Sequence, residues 1–308
     1  MDHQMEVLPG VFVKPQKIKT TKGIIEYDIT EKENPVILCS HGGIGGFDQA
    51  RIILGWLNDN EYKLLSPSRP GYLGTPLESG TTIEEQADLF AASLDALNIE
   101  KAAVVSASAG GPPAYMFAVR HPDRVWALVA IDSVSGFYDM PETAGPIMQA
   151  IFMSQFGQKL LKVVGEAKPE WFLEQIFNAE AYFTKKQIKE HIDYAMNSPE
   201  MLIFVKAFMS TMNPYNTRKP GTNNDMEQYR KLTHLPLENI QCPCLIVHGT
   251  HDADVKFYDG VYAYEHIPSC EHYWIEEGSH LGFWLSRHAG AARKAACDFL
   301  AKHRPGSP

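Results

Sequence analysis

A chain of 308 residues with 44% hydrophobic and 21% charged residues has a globular composition and can form one large α/β domain or two ordinary ones. Its net charge of −9, without a long basic run, gives no electrostatic support for binding nucleic acids or anionic membranes. It has no signal-peptide pattern, no apolar run of membrane-spanning length, and five cysteines without disulfide or zinc spacing. We therefore expect reduced cysteines, a cytoplasmic location, and neither metal nor cofactor.

The first part of the chain predicts two antiparallel strands followed by a buried strand. Polar turns separate two strand-like runs, residues 7–13 and 24–29, and a continuous apolar run at residues 36–40 predicts a strand covered on both faces. That run leads into a loop, residues 41–48, with the sequence His-Gly-Gly-Ile-Gly-Gly-Phe-Asp. Its glycines let backbone N–H groups approach a ligand closely, and no nucleotide-binding glycine pattern fits the loop.

Strands and helices then alternate. A strand at residues 62–67 precedes a helix capped by Thr81 or Thr82, with Glu84 or Glu85 three residues later. A strand beginning at residue 102 and a buried strand at residues 125–131 follow, the latter ending at Asp132. This alternation predicts a doubly wound, mostly parallel sheet with its active site at the carboxyl ends of the strands.

Ser108 lies at the sharp corner between a strand and the helix-like segment 114–120. Only small residues stand two positions before and after it, Ser106 and Gly110. A serine whose hydroxyl is exposed at the top of a sheet needs that space because the backbone turns tightly there. The first N–H groups of the following helix then face the position where an oxyanion forms. The corner therefore predicts a nucleophile.

The pattern changes at about residue 135, where strand signals stop. Up to residue 237 the sequence predicts helices and a more polar turn; the predicted helices are residues 146–164, 169–178, 185–197, 199–212 and 226–232, and the turn is residues 213–225. Eight of the eleven methionines fall in this segment. Beyond it the sequence predicts strands at 244–247 and 273–275 and helices at 257–266 and 286–303.

The corner resembles the nucleophile elbow of the α/β-hydrolase superfamily, G-x-S-x-G, with Ser106 in place of the first glycine. The superfamily's order of serine, acid and histidine is met by Ser108, Asp252 and His280. Asp252 stands three residues after a glycine, and His280 ends a Gly-x-His turn, as in that superfamily. The resemblance implies an α/β-hydrolase core at residues 1–134 and 238–308, with a helical cap inserted at residues 135–237.

The resemblance also implies an oxyanion hole. Its donors would be the N–H groups of Gly43, two residues after the histidine of the glycine-rich loop, and of Ala109, with Ile44 as the alternative to Gly43. Met and Phe side chains recur in the inserted segment, and such groups commonly line pockets for apolar ligands. The predicted substrate contacts are Ile44, Met153, Phe208 and Leu281.

Other assignments stay open. Ser106 would have the bulkier Val104 two residues before it, and Asp254 breaks the glycine spacing. Asp132 is the more serious alternative acid because some members of the superfamily draw the acid from that strand end. Four other histidines fit strand-end, loop or helix-surface positions better than the role of the base: His248, His251, His266 and His272. His251 with Asp252 and Asp254 on one tight loop is a poor metal site.

A serine nucleophile predicts acyl chemistry, so hydrolysis of a small to medium hydrophobic carboxylic ester is the leading hypothesis. Dehalogenases and epoxide hydrolases of the superfamily resemble each other in carrying aspartate at the elbow, which Ser108 argues against. Three alternatives remain: C–C bond hydrolysis of a diketone-like substrate, proline-iminopeptidase-like amidase activity, and a non-enzymatic small-molecule receptor. The expected partner is a small hydrophobic molecule, with a homodimer as an open alternative.

Overall fold

The computed structural model of the chain describes residues 4–31, 35–57, 61–141, 143 and 145–306. Its strands are β1 (Met5–Leu8), β2 (Val11–Val13), β3 (Gln16–Lys19), β4 (Ile24–Ile29), β5 (Val36–Ser40), β6 (Lys63–Pro67), β7 (Ala102–Ala107), β8 (Val125–Ile131), β9 (Cys244–Gly249) and β10 (Cys270–Ile275). Its helices are α1 (Phe47–Ile53), α2 (Ile83–Ala96), α3 (Gly111–Arg120), α4 (Pro146–Phe152), α5 (Gln155–Ala167), α6 (Pro169–Glu180), α7 (Lys185–Met196), α8 (Pro199–Ser210), α9 (Lys219–Tyr229), α10 (Phe257–His266), α11 (Gly282–Leu285) and α12 (Ala289–His303).

An eight-stranded sheet organises the molecule, in the order β10-β9-β8-β7-β5-β6-β4-β3. The six strands from β10 to β6 are parallel, and β4 and β3 extend that sheet as antiparallel strands. Alternate residues of β7 enter different apolar cores: Val105 packs on one face of the sheet and Val104 on the other. Because both faces are covered, the parallel strands are continuous apolar runs. The predicted doubly wound α/β sheet is confirmed.

The N-terminal entry differs from its prediction. The expected strand at residues 7–13 is divided between β1 and β2, which form a separate two-stranded sheet. The division comes at Pro9 and Gly10, where the φ angle of Gly10 is +76°, a left-handed conformation that glycine adopts without strain. The strand that pairs with β4 is instead β3, whose sequence Gln-Lys-Ile-Lys is mostly exposed and gave no apolar signal.

The helices α4 to α9, between β8 and β9, form what we call the helical insertion (residues 146–229). The helix expected at residues 146–164 is two helices, because extended backbone at Ser154 interrupts it and the Ser154 side chain caps α5 through the Gly157 N–H. The polar turn expected at residues 213–225 was also wrong, since α9 occupies most of it. Three of its polar side chains, Thr222, Asn224 and Asp225, are buried and hydrogen-bonded, whereas in sequence they resemble residues of an exposed turn.

The helix α2 matches its prediction closely. Thr82 accepts a hydrogen bond from the Glu85 N–H and the Glu85 side chain returns to the Thr82 N–H, which completes the capping box. The described residues contain no helix that is both long enough and apolar enough to cross a membrane.

Candidate active site

The turn after β7 holds Ser108 in a strained position. Its φ angle is +53°, in the left-handed region that residues other than glycine rarely adopt. The next residues leave no space for side chains: a Cβ atom on Gly110 would lie 2.0 Å from the Ser40 carbonyl oxygen, and one on Gly111 2.3 Å from that of Val134. The turn thereby presents the Ser108 side chain to a cavity above the carboxyl ends of the strands. Strain of this kind is typical of functional sites.

Ser106 has a different environment. Its side chain is fully buried, and its hydroxyl lies 2.9 Å from that of Ser133 in a hydrogen bond. It does not line the cavity that Ser108 faces.

His280 and Asp252 form a hydrogen-bonded pair at the same cavity. The Nδ1 atom of His280 lies 2.8 Å from Oδ2 of Asp252. The other oxygen, Oδ1, accepts the backbone N–H groups of Asp254 at 2.9 Å and Val255 at 3.0 Å. Burial opposes ionisation of Asp252, but the imidazoles of His280 and His248 outweigh it and lower the pKa of Asp252. A carboxylate in this position fixes the orientation of the imidazole and stabilises its protonated form.

The second nitrogen of His280 contacts another carboxylate. Its Nε2 atom lies 3.3 Å from Oδ2 of Asp254, and Oδ1 of Asp254 accepts a hydrogen bond from the Tyr138 hydroxyl at 2.6 Å. Ser108 and His280 both line the cavity, but no hydrogen bond joins Ser108 Oγ to Nε2. Unliganded active sites often show such loose geometry. Burial alone would lower the pKa of His280, but the carboxylates of Asp252, Asp254 and Glu180 raise it well above the ordinary value.

We predict that Asp254→Asn moves the acidic limb of the pH profile of kcat/KM to lower pH. A general base must be deprotonated, so activity is lost as the pH falls through the pKa of His280, and removing one nearby negative charge lowers that pKa. Steady-state rates from pH 5 to 10 would measure the limb. Asp139→Asn is the control, since Asp139 is exposed and pairs with Arg230. An acidic limb that is the same in Asp254→Asn and wild type would contradict the prediction.

Asp132 lies close to the candidate acid without bonding to His280. Its Oδ1 accepts the Gly249 N–H at 2.7 Å, and its buried Oδ2 has no hydrogen-bond partner. Burial raises the pKa of Asp132 to about 7. The possible ligand atoms of Asp132, His248 and Asp252 lie within 4.8 Å of one another. Since the Asp252 oxygens already bind His280 and backbone N–H groups, the cluster offers no preformed set of free metal ligands.

The glycine-rich loop after β5 packs against the serine turn. A Cβ atom on Gly42 would lie 3.3 Å from Cβ of Ser108, and one on Gly43 3.9 Å from Cβ of Ala109. His41 Nε2 accepts the Arg69 N–H at 2.9 Å, so Nδ1 carries the proton and donates to the Gly42 carbonyl at 2.7 Å. In a planar trans peptide the next N–H points the opposite way. The Gly43 N–H therefore points away from the His41 ring.

The cavity encloses about 150 Å³ and has mainly apolar walls. All four predicted contact residues line it: Ile44, Met153, Phe208 and Leu281. Of the eight methionines between residues 135 and 237, five also line it: Met140, Met148, Met153, Met212 and Met226. The other three pack in the apolar core: Met196, Met201 and Met209.

Several acidic groups interrupt this apolar wall. Glu180, at the end of α6, has a buried Oε2 atom without a hydrogen-bond partner, and burial raises its pKa to about 8. Asp132, Asp225 and Asp254 also line the cavity, whereas none of the described lining residues is lysine or arginine. Sequence reasoning missed Glu180 altogether, and it considered Asp254 only as an alternative acid.

The chain is similar to known hydrolases along most of its length. The α/β-hydrolase fold family model matches residues 35–286, so the chain belongs to the α/β-hydrolase fold family, and it is a hydrolase. An α/β-hydrolase fold protein from Nakamurella multipartita is similar at 33% identity and a TM-score of 0.86, covering 93% of this chain and 99% of that one.

Two curated relatives are more distant in sequence. An uncharacterized hydrolase of Bacillus subtilis is 27% identical over 90% of this chain and 95% of its own length. A 2-hydroxy-6-oxononadienedioate/2-hydroxy-6-oxononatrienedioate hydrolase of Burkholderia vietnamiensis is 22% identical over 90% of this chain and 91% of its own length.

Proposed function

We propose that this hydrolase cleaves small to medium hydrophobic carboxylic esters through an acyl-enzyme on Ser108. The observation that carries the proposal is the bonded pair of His280 and Asp252 beside the cavity that Ser108 faces. The serine oxygen attacks the ester carbonyl carbon, and His280 takes its proton and then gives it to the leaving alcohol. The N–H groups of Gly43 and Ala109 hold the oxyanion. Water activated by His280 then releases the acid.

We further propose that residues 135–237 serve as a cap over a core of residues 1–134 and 238–308. Met153 and Phe208, which line the cavity from this segment, support an apolar binding role. An apolar wall stabilises each buried methylene of a ligand by about 0.8 kcal/mol. A cavity on the order of 150 Å³ suits a benzene-sized group. The proposed acyl or alcohol group is therefore of short to medium length, and a cytoplasmic location remains part of the proposal.

The charge of the cavity supports a substrate without a carboxylate. A carboxylate leaving water for this cavity would find acidic side chains, among them Glu180 and Asp254, and no lysine or arginine of the described lining. The imidazole of His280, which also lines the cavity, is already paired with Asp252 and Asp254. A buried charge without a partner costs several kcal/mol. Neutral esters avoid this cost, and a substrate carrying an ammonium group would find carboxylates to pair with.

C–C bond hydrolysis is the second candidate, and the Burkholderia vietnamiensis relative favours it because its name describes such a substrate class. The substrates in that name are dicarboxylates. The acidic cavity of this chain argues against these diacids, so a C–C substrate would have to be an uncharged diketone.

A series of p-nitrophenyl esters tests the proposal. From acetate to butyrate, kcat/KM should rise about tenfold, since two methylenes contribute about 1.6 kcal/mol. It should fall again for decanoate, which exceeds the cavity. The p-nitrophenyl ester of terephthalate, which matches the 4-methylbenzoate ester in shape but is anionic, should react about 100-fold more slowly than that ester.

The matched control for charge is the p-nitrophenyl 4-(aminomethyl)benzoate ester, whose kcat/KM we expect to fall less than that of the terephthalate ester, relative to 4-methylbenzoate. A flat chain-length profile would contradict the hydrophobic-ester proposal, as would a preference for amino-acid amides over every ester. An uncharged vinylogous diketone, assayed in parallel, decides between the ester and C–C candidates.

A further inference from the structure

A buried ion pair joins the helical insertion to the catalytic side of the core. Asp225, on α9, accepts two hydrogen bonds from the guanidinium of Arg69, at 2.8 Å from Nη1 and 2.6 Å from Nη2. The Tyr72 hydroxyl donates a further bond to Asp225 at 2.6 Å. Arg69 is fully buried, and its pairing with Asp225 spans 156 residues of sequence. Two parallel bonds fix the guanidinium plane as well as its position.

The same guanidinium holds the glycine-rich loop. Its Nε donates to the His41 carbonyl at 3.0 Å, and Nη2 lies 3.4 Å from the Gly42 carbonyl. The Gly42 carbonyl belongs to the peptide whose N–H is that of Gly43, the proposed oxyanion donor. Any rotation of this peptide that turned the N–H away from the cavity would have to break these contacts. Arg69 therefore restrains the orientation of the donor without reaching the substrate.

A second buried ion pair, between Arg218 and Asp48, lies at the far end of the glycine-rich loop. Arg218, just before α9, donates to the Gly45 carbonyl at 2.8 Å and makes two bonds to Asp48, at 3.0 and 2.7 Å. A third contact involves Ala109, the other proposed donor residue, because the Tyr229 hydroxyl of α9 donates to the Ala109 carbonyl at 2.5 Å. One short segment, residues 218–229, thus contacts the glycine-rich loop through Arg218 and the residue after Ser108 through Tyr229.

We propose that α9 assembles the oxyanion hole, with Asp225 and Arg69 as positioning residues that hold the Gly42–Gly43 peptide in its productive orientation. The helical insertion then does more than line the pocket, because its packing on the core determines whether the Gly43 N–H points to the oxyanion. The orientation of this N–H matters mainly in the transition state, where the carbonyl oxygen of the substrate becomes an oxyanion. Loss of the ion pair should therefore lower kcat more than it weakens substrate binding. This inference rests on the proposed acyl chemistry.

The test uses two variants of the full-length protein. Asp225→Asn keeps the side-chain shape and removes the charge. The double variant Arg69→Met/Asp225→Leu removes both charges, so that no buried charge is left unpaired if the single variant fails to fold. We expect kcat for p-nitrophenyl butyrate to fall about 100-fold or more in the double variant, as for loss of an oxyanion donor, with KM changed only a few-fold.

A second readout separates oxyanion positioning from a general structural defect. A trifluoromethyl ketone becomes an oxyanion when Ser108 adds to it, whereas the corresponding secondary alcohol does not. Affinity for the ketone should fall in parallel with kcat/KM, while affinity for the alcohol stays within a few-fold of wild type.

Asn224→Ala is the matched control, since Asn224 is the neighbour of Asp225 on α9 and its side chain donates to the Thr81 carbonyl at 2.8 Å. It removes a contact between the helical insertion and the core that does not involve the loop, so kcat and ketone affinity should stay close to wild type. Folded Arg69 and Asp225 variants that match this control would overturn the inference. A wild-type protein that neither hydrolyses esters nor binds the ketone would instead overturn the proposed function.

Discussion

Replacing Ser108 with alanine is expected to lower kcat for ester hydrolysis by about 10⁴-fold or more, and His280→Ala should cause a similar loss. The two losses should match because the serine hydroxyl is a poor nucleophile without its base, and the base has no role in attack without the serine. Steady-state kinetics on p-nitrophenyl butyrate, with thermal unfolding to verify folding, would measure both.

Ser106→Gly is the control for this prediction. Ser106 is buried, bonded to Ser133 and absent from the cavity, and glycine is the commoner residue at its position in the elbow. Most of the activity should therefore remain. Abolished turnover in Ser106→Gly together with an active Ser108→Ala would overturn the assignment of the nucleophile.

The second large effect is expected at Asp252. Asp252→Asn should lower kcat by about 10⁴-fold, since an amide favours the wrong tautomer and orientation of the imidazole. Asp132→Asn should cost less than about tenfold, because Asp132 contacts the Gly249 N–H rather than His280 and an amide oxygen can still accept that bond. Kinetics of the two variants in parallel would measure the difference.

Comparing the two variants decides whether the catalytic acid follows β8, as Asp132 does, or β9, as Asp252 does. A mild Asp252→Asn and an inactive Asp132→Asn would assign the acid to the end of β8 and contradict the structure-based interpretation. Both carboxyls are almost completely buried, so thermal unfolding of both variants should accompany the kinetics.

Local sequence patterns predicted the sheet and the three candidate residues for a physical reason. Strands β5, β7, β8 and β9 are buried on both faces, so each is an apolar run in the sequence. The polar residues of the candidate site come after the carboxyl ends of such runs. Ser108 and Asp252 follow such runs closely along the chain. Because the carboxyl ends of parallel strands meet at one edge of the sheet, order along the chain was enough to bring the predicted positions together.

Contacts between distant segments were beyond the reach of sequence reasoning. Nothing near Arg69 indicates that its partner is Asp225, and the first part of α9, up to Asp225, was predicted as a polar turn because its buried polar residues resemble exposed ones. Glu180 is the last residue of an ordinary amphipathic helix and is distinguished only by its location in the cavity. The acidic character of the pocket, which shapes the proposed substrate class, therefore required the three-dimensional structure.

Covalent labelling with a fluorophosphonate tests the central claim, that Ser108 is an activated nucleophile, most directly. Trypsin should release residues 102–120, a peptide that contains both Ser106 and Ser108, so fragment ions must assign the modified side chain. We expect one label per chain, on Ser108, that is absent from Ser108→Ala and forms far more slowly in His280→Ala. A label on Ser106, or ester hydrolysis by a wild-type protein that takes no label on Ser108, would contradict the claim.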